Sequence, residues 1–289
     1  MEPIEFEHGS WGTKATIRAP WQDSMLRLLV NMEVNDLHLN TGKGWKGKVD
    51  FLSHLPHLQS LVIIDQGLDS LEPVHTLNKL VRLSLSTYSD TPINFDSFPE
   101  LEICDFEWIR GSQSLFSRTS LRRLGLNSYK GKSSSGFSNL TRLDTLSIGN
   151  TSIKELAGLG ALENLSYLSL FNLRSLTAID GIGELRKLKV LEMQRCPKID
   201  EVTKIFQLES LEQLLLLDMG RIESIRGIEK LTDLQAFLFY GSSDVEDGDL
   251  SPLTMLSKLS VINFRDRNHY THKLEDFKVQ KFLPPRMSG

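Results

Sequence analysis

The chain has 289 residues, a formal net charge of −4 from 33 Lys+Arg against 37 Asp+Glu, and a mean hydropathy of −0.19. This balance supplies no general attraction to nucleic acid or to an anionic membrane. No apolar run reaches the roughly 18 residues that a membrane span needs, and the Met-Glu-Pro-Ile-Glu start lacks the basic-then-apolar pattern of a secretory signal.

Residues 4–19 read as a hairpin, with Ile4 and Phe6 on one arm, a turn at His8-Gly9-Ser10-Trp11-Gly12, and Ala15-Thr16-Ile17-Arg18 on the other. Residues 22–30 suit a short amphipathic helix. Residues 1–31 are therefore expected to cap whatever follows.

From Val34 onward one pattern recurs. An apolar residue is followed three and five positions later by two more, with openings at Val34, Leu58, Leu80, Leu101, Leu121, Leu143, Leu165, Leu188, Leu211, Leu234 and Leu259. Successive openings lie 20–25 residues apart. The last two apolar positions are two apart, as in Leu146/Ile148 and Leu168/Leu170, and so point to one face of a strand. A second series runs at three-residue spacing, as in Ile153, Leu156, Leu159, Leu162 and Leu165. That spacing, held without drift, suits 3₁₀ turns or extended chain better than a long α-helix. Each copy is thus a strand, a tight turn and a compact return, and stacked copies share one core.

Several local motifs interrupt the pattern. Gly42-Lys43-Gly44-Trp45-Lys46-Gly47 fits the glycine-rich fingerprint of a dinucleotide site, with Asp65 near the place of a ribose-binding acid. The flanking strands keep the repeat period, so the favoured reading is a solvated loop in which Gly44 is replaceable. Its lysines and Trp45 are then free to touch an acidic partner. A nucleotide-binding enzyme using Gly42–Gly47 is the alternative. His54 and His57 alternate with Leu52, Leu55 and Leu58 and fall on the outer rim, short of the three or four ligands a metal needs. His269 and His272 are no better placed. Ser133-Ser134-Ser135 reads as a flexible loop. Cys104 takes a core strand position and Cys196 follows a strand four copies later, too far apart to bond. Unbonded cysteines fit a reducing compartment, and a cytoplasmic protein is expected. Leu274, Phe277, Val279 and Phe282 are expected to cover the last copy as a C-terminal cap over residues 267–289, with residues 284–289 as a tail.

The repeated Leu-x-x-Leu-x-Leu element over residues 32–266 resembles the leucine-rich repeat family in its class of about 22 residues, as in internalins and the regulatory subunit of protein phosphatase 1. The resemblance implies an α/β solenoid, curved, with a parallel sheet on the concave face and 3₁₀, extended or short helical segments on the convex one. The family expects Asn or Cys eight residues after the first Leu, and here only Cys196 matches, while Asn150 and Asn172 lie one residue early. Irregular turns after the strands are the expectation that follows.

Outward strand positions carry the functional reading. One stretch offers Arg82, Asp105, Glu107 and Arg123, with Trp108 alongside. Another offers Tyr167, Phe171, Val190, Leu215, Leu217, Leu238 and Tyr240, an apolar cluster with aromatic members of the kind found in interface cores. Two other readings would close that cluster: the C-terminal tail folds over it, or the register of Leu214–Leu217 is shifted by one. No serine, histidine and acid are arranged around a strained turn. The sequence therefore predicts a non-enzymatic scaffold, without cofactor or metal, that binds a protein on its concave strand face. A toxin it neutralises or an enzyme it regulates are candidate partners, and neither nucleic acid nor membrane is expected.

Overall fold

The structure is a computed structural model and describes residues 2–277. The chain forms two compact units, one running to Asn127 and one starting at Ser128.

The first unit opens with an antiparallel hairpin of β1 (Ile4–Gly9) and β2 (Gly12–Ile17), in which Ile4 stands opposite Ile17. Helix α1 (Ser24–Asn31) follows, burying Met25 and Leu29, one turn apart on one face. Then come β3 (Val34–Asn40), β4 (Ser60–Ile64), β5 (Arg82–Ser86), β6 (Ile103–Glu107) and β7 (Arg123–Asn127). From β2 to β7 each pairs in parallel with the next. The register aligns the inner residues: Leu61, Leu83, Cys104 and Leu124 form one column, each fully buried.

The second unit carries β8 (Thr145–Gly149), β9 (Tyr167–Phe171), β10 (Val190–Gln194), β11 (Gln213–Leu217), β12 (Arg221–Ile222), β13 (Ala236–Phe239), β14 (Asp244–Val245) and β15 (Val261–Phe264). Strands β8, β9, β10, β11, β13 and β15 are successive parallel neighbours. Strands β12 and β14 make a separate two-stranded parallel sheet. Leu146, Leu168, Leu191, Leu214, Phe237 and Ile262 form the inner column, all at 0 % exposure.

Return segments hold 3₁₀ turns, among them Asp50–His54, Glu72–Thr76, Ala157–Ala161 and Thr203–Gln207. Three residues per turn keep an i, i+3 series on one side. Ile153, Leu156, Leu159, Leu162 and Leu165 are accordingly all fully buried. Each such side chain contributes roughly 1.5–3 kcal/mol of burial, which is how a stack with so little α-helix holds together.

The turns after the strands are regular in the second unit, contrary to expectation. Ser128, Asn150, Asn172, Arg195 and Asp218 have φ between +51° and +57°, and Gly241 has +75°. The N–H groups of Ser128, Asn150, Asn172, Arg195 and Asp218 donate to Gly149, Phe171, Gln194, Leu217 and Tyr240 carbonyls at 2.8–3.1 Å. The left-handed residue steers the chain round the corner, and Asn and Asp tolerate that conformation. Asn150 and Asn172 thus shape the turn itself, and Asn172 Nδ2 donates to Asn150 Oδ1 at 2.6 Å. The buried hydrogen bonding expected of Asn at the next position is divided among other groups. Thr151 Oγ1 donates to the Tyr129 carbonyl at 2.8 Å, and Ser243 Oγ accepts from Met219 N and donates to the Leu216 carbonyl.

The glycine loop also departs from expectation. Trp45 is fully buried, donates Nε1 to Asp65 Oδ2 at 3.1 Å, and lies 6.3 Å from the Trp21 ring, which stacks on Phe51 at 3.6 Å. It is core, not a free contact for a partner. Gly44 has φ +104°, and a Cβ there would lie 2.4 Å from the Arg18 carbonyl oxygen, so the position is not replaceable. At the other end Phe277 rests edge-on against Phe264, ring centres 6.0 Å apart, and Leu274 is half-buried. Val279, Phe282 and residues 284–289, with their expected cap and tail roles, lie outside the described residues.

Candidate functional site

Strand alternation sends every second side chain away from the core, and the two units present different chemistry there. In the first unit Arg82, Asp105, Glu107 and Arg123 are all half-buried on the outward face. Ser84, Asp105 and Gly125 stand side by side across β5, β6 and β7. The Asp105 carboxylate leans over Gly125, where a Cβ would meet Oδ1 at 2.3 Å. Burial pushes its pKa above the ordinary range, against the pull of Arg123, whose Nε is 3.8 Å away, and of Arg82. Glu107 accepts from Asn127 Nδ2 at 2.6 Å, and the Trp108 ring leans towards Phe106 and Phe116.

Sequence reasoning missed a neighbouring cluster on the same face. Asp36 and Ser60, opposite one another on β3 and β4, are buried at 3 % and 0 % exposure. His38 Nε2 lies 3.1 Å from Asp36 Oδ1, within ion-pair distance but without hydrogen-bond geometry. Burial pushes the Asp36 carboxyl up, yet contacts from His38 and Ser60 and the charge of Arg82 outweigh it and leave the pKa lowered. Trp11, from the hairpin turn, sits under the Arg82 guanidinium at 5.8 Å. Local spacing gave no sign of that contact, because a turn at one end of the unit reaches over to β5.

In the second unit the outward face becomes apolar around β11 and β13. Leu214 and Leu216 face the core at 0 % exposure, in line with Leu191 and Met193, so the expected register of β11 holds. Leu215 and Leu238 therefore face outward and stand opposite each other, but they are not open surface: Leu215 is 8 % and Leu238 0 % exposed. With Ala236 they form a small cluster of their own, flanked by partly buried Leu217, Tyr240 and Val261. Tyr167, Phe171 and Val190 are half-buried further along the face, with Tyr167 donating to Glu192 Oε2 at 2.7 Å. Phe171, Val190, Leu217, Tyr240 and Val261 thus remain partly open on this face, with Leu215 and Leu238 buried beneath. Whether the C-terminal tail reaches this cluster falls outside the described residues.

No protein-family model and no curated protein matches the chain. Solved structures do. The functional domain of InlJ from Listeria monocytogenes aligns over 84 % of this chain and 51 % of its own length, with TM-score 0.61 and 17 % identity. The internalin InlF from the same organism aligns over 73 % and 68 %, with TM-score 0.54 and 20 % identity. The ectodomain of the Arabidopsis receptor kinase HAESA, crystallised with a peptide hormone, aligns over 75 % and 39 %, with TM-score 0.54 and 21 % identity. The fold is the leucine-rich repeat fold. The likeness fixes architecture alone, since one fold hosts many functions.

The glycine-rich loop is held within the leucine-rich repeat stack by its own hydrogen bonds. In the glycine-rich loop Gly42 N donates to Asn40 Oδ1 at 2.8 Å and Gly44 N to the Thr41 carbonyl at 3.1 Å. The loop leads into a 3₁₀ turn, not an α-helix whose N-terminus would cradle phosphates. Asp65, the would-be ribose ligand, instead accepts from Trp45. His54 and His57 are exposed on the rim, and among the described residues no group of three or more His, Cys, Asp or Glu converges as a metal site.

Proposed function

We propose that this leucine-rich repeat protein is a non-enzymatic scaffold that binds a protein partner on its outward strand face. The observation that carries the reading is the second unit's row of Phe171, Val190, Leu217, Tyr240 and Val261, half-exposed over a floor of Leu215, Ala236 and Leu238. A packed apolar floor with aromatic members and a polar surround is the anatomy of an interface centre. The HAESA ectodomain, of the same fold, was crystallised with a peptide ligand, which supports a polypeptide as the class of partner. A toxin held inactive or an enzyme held in check both suit such a surface. The near-neutral charge supports neither nucleic acid nor membrane. We place the protein in the cytoplasm. Cys104 and Cys196 are both free and buried, with burial pushing the Cys196 thiol up to about 11, which suits a reducing compartment.

The test is affinity capture from the native cell with wild-type protein and the Leu217→Arg and Tyr240→Ala variants side by side. A protein retained by the wild type and lost from both variants is the expected result. Retention at full strength by a folded Leu217→Arg variant removes this face as the binding site.

A further inference from the structure

On the strand face of the second unit the Arg195 guanidinium meets the Asp218 carboxylate only at the long end of ion-pair distance, 3.9 Å. Arg195 follows β10 at the turn position with φ +57°. Other repeats place Ser128, Asn150, Asn172, Asp218 or Gly241 there, and of these Asn, Asp and Gly adopt the left-handed region at little cost. A long cationic side chain is an expensive choice for that conformation, and such outliers cluster at functional sites.

The surroundings say what Arg195 is held for. Its guanidinium lies over the Phe171 ring at 5.8 Å, a stacking that fixes its direction. Its side chain remains 52 % exposed. Its ion pair with Asp218 is long, and that carboxylate is shared. Asp218 comes no closer than 3.9 Å, and its Oδ1 accepts from Ser242 N at 3.1 Å. Among the described residues no hydrogen bond leaves the Arg195 guanidinium, although it has a fork of donors that matches a carboxylate. Leu217, at the end of the adjacent strand β11, offers a half-exposed apolar contact beside it.

We infer that Arg195, braced on Phe171, anchors an Asp or Glu side chain of the protein partner, with an apolar residue next to that acid settling on Leu217 and Tyr240. This assignment rests on the strand-face reading above and adds the partner's chemistry: an acidic residue beside an aliphatic or aromatic one. A guanidinium fixed in advance loses little freedom on binding, and an unpaired carboxylate opposite an apolar neighbour is rejected by the rest of the row.

The probe is a library of random dodecapeptides displayed on phage, selected against the full-length chain, with selected sequences resynthesised for calorimetry. Expected are peptides carrying Asp or Glu next to an aliphatic or aromatic residue, whose affinity falls about tenfold or more in Arg195→Asn and in the matching acid-to-amide peptide. Asn keeps the left-handed turn, as Asn172 does, so folding survives while the cation goes. Affinity should also fall with added salt for the wild type and not for Arg195→Asn. Peptides that lose binding in Leu217→Arg but keep it in Arg195→Asn overturn the carboxylate anchor and leave the strand-face reading standing. Peptides indifferent to both variants, or no selected peptide at all, overturn both.

Discussion

The α-carbon of Gly44 is pressed against the Arg18 carbonyl, so that a methyl group in its place would sit 2.4 Å from that oxygen. Backbone on both sides locks the contact: Trp21 N donates to the Lys46 carbonyl at 2.7 Å, and Trp45 N to that of Asn40. The glycine pattern that imitates a nucleotide fingerprint is therefore a clasp between the N-terminal cap and the first repeat. Gly44→Ala should cost about 1–3 kcal/mol from the left-handed φ alone, with the clash adding to it. A denaturant titration measures this. Calorimetry with NAD or ATP should show no heat with wild type, and micromolar binding would restore the nucleotide reading.

The fold was legible because two periods are written into the chain. Alternation at Leu168/Leu170 and Leu191/Met193 assigns the inner face of each strand, and three-residue spacing assigns the return. Even the continuously apolar Leu214–Leu217 stretch sits in the register that its neighbours impose. What stayed hidden depends on contacts between distant segments or on crowding. Trp45 reads as loop until Asp65 and Trp21 are brought against it. Leu238 reads as surface because alternation gives a side chain's direction and says nothing of its cover; Leu215 and Tyr240 crowd it. Arg195 was passed over because it lies one residue beyond the strand, where its φ, not its spacing, marks it.

The core assignment separates neighbouring positions sharply. Leu168 is fully buried and Ser169 half-exposed on the opposite face. Leu168→Asp should cost at least about 2 kcal/mol, because a carboxylate there has no hydrogen-bond partner. Ser169→Asp should stay within about 0.5 kcal/mol of wild type. Thermal melts by circular dichroism compare the two, and equal losses would contradict the register of β9.

Buried turn hydrogen bonds replace the asparagine that this repeat class expects. Ser243 takes a bond from Met219 N at 3.0 Å and gives one to the Leu216 carbonyl at 2.7 Å. Ser243→Ala leaves both groups unpaired and should cost about 1–3 kcal/mol. Thr151→Val, which removes the hydrogen bond to the Tyr129 carbonyl, should cost about 1 kcal/mol. Hydrogen exchange at Met219 should speed up in Ser243→Ala; an unchanged rate and stability would mean that water substitutes freely.

Alkaline pH should loosen the C-terminal end. Burial, with the carboxylate of Asp244 at 2.9 Å, pushes the Tyr270 phenol from its ordinary 10.0 up to about 12. A raised pKa in the folded state means that the neutral form is the one the fold holds. Its stabilisation is complete below pH 10 and drains away as pH rises from 10 towards 12. Tyr270→Phe should be less stable at neutral pH, having lost the bonds to Asp244 and from Val245 N. It should also show a flatter decline over that window. Identical slopes for both proteins would show that other groups dominate the alkaline limb.

Leu216 and Leu217 are adjacent residues on opposite faces of β11. Leu216 is fully buried in the inner column beside Met193. Leu217 is half-buried beside Tyr240 on the outward face. Leu216→Arg places a charge among leucines and should unfold the second unit. Leu217→Arg loses part of its packing on the Leu215 and Leu238 floor, but its long stem can lie across that floor with the head in water. Its cost should be about 1 kcal/mol, more than a freely exposed substitution and far less than the core one. Binding should respond the other way: Leu217→Arg brings a second cation next to Arg195 and removes an anchor, a change that commonly costs about 2 kcal/mol or more at an interface centre. Melting curves for both variants, read beside capture of the partner, separate the two effects. Should Leu217→Arg unfold as fully as Leu216→Arg, the outward row is part of the core and the binding face must be sought elsewhere.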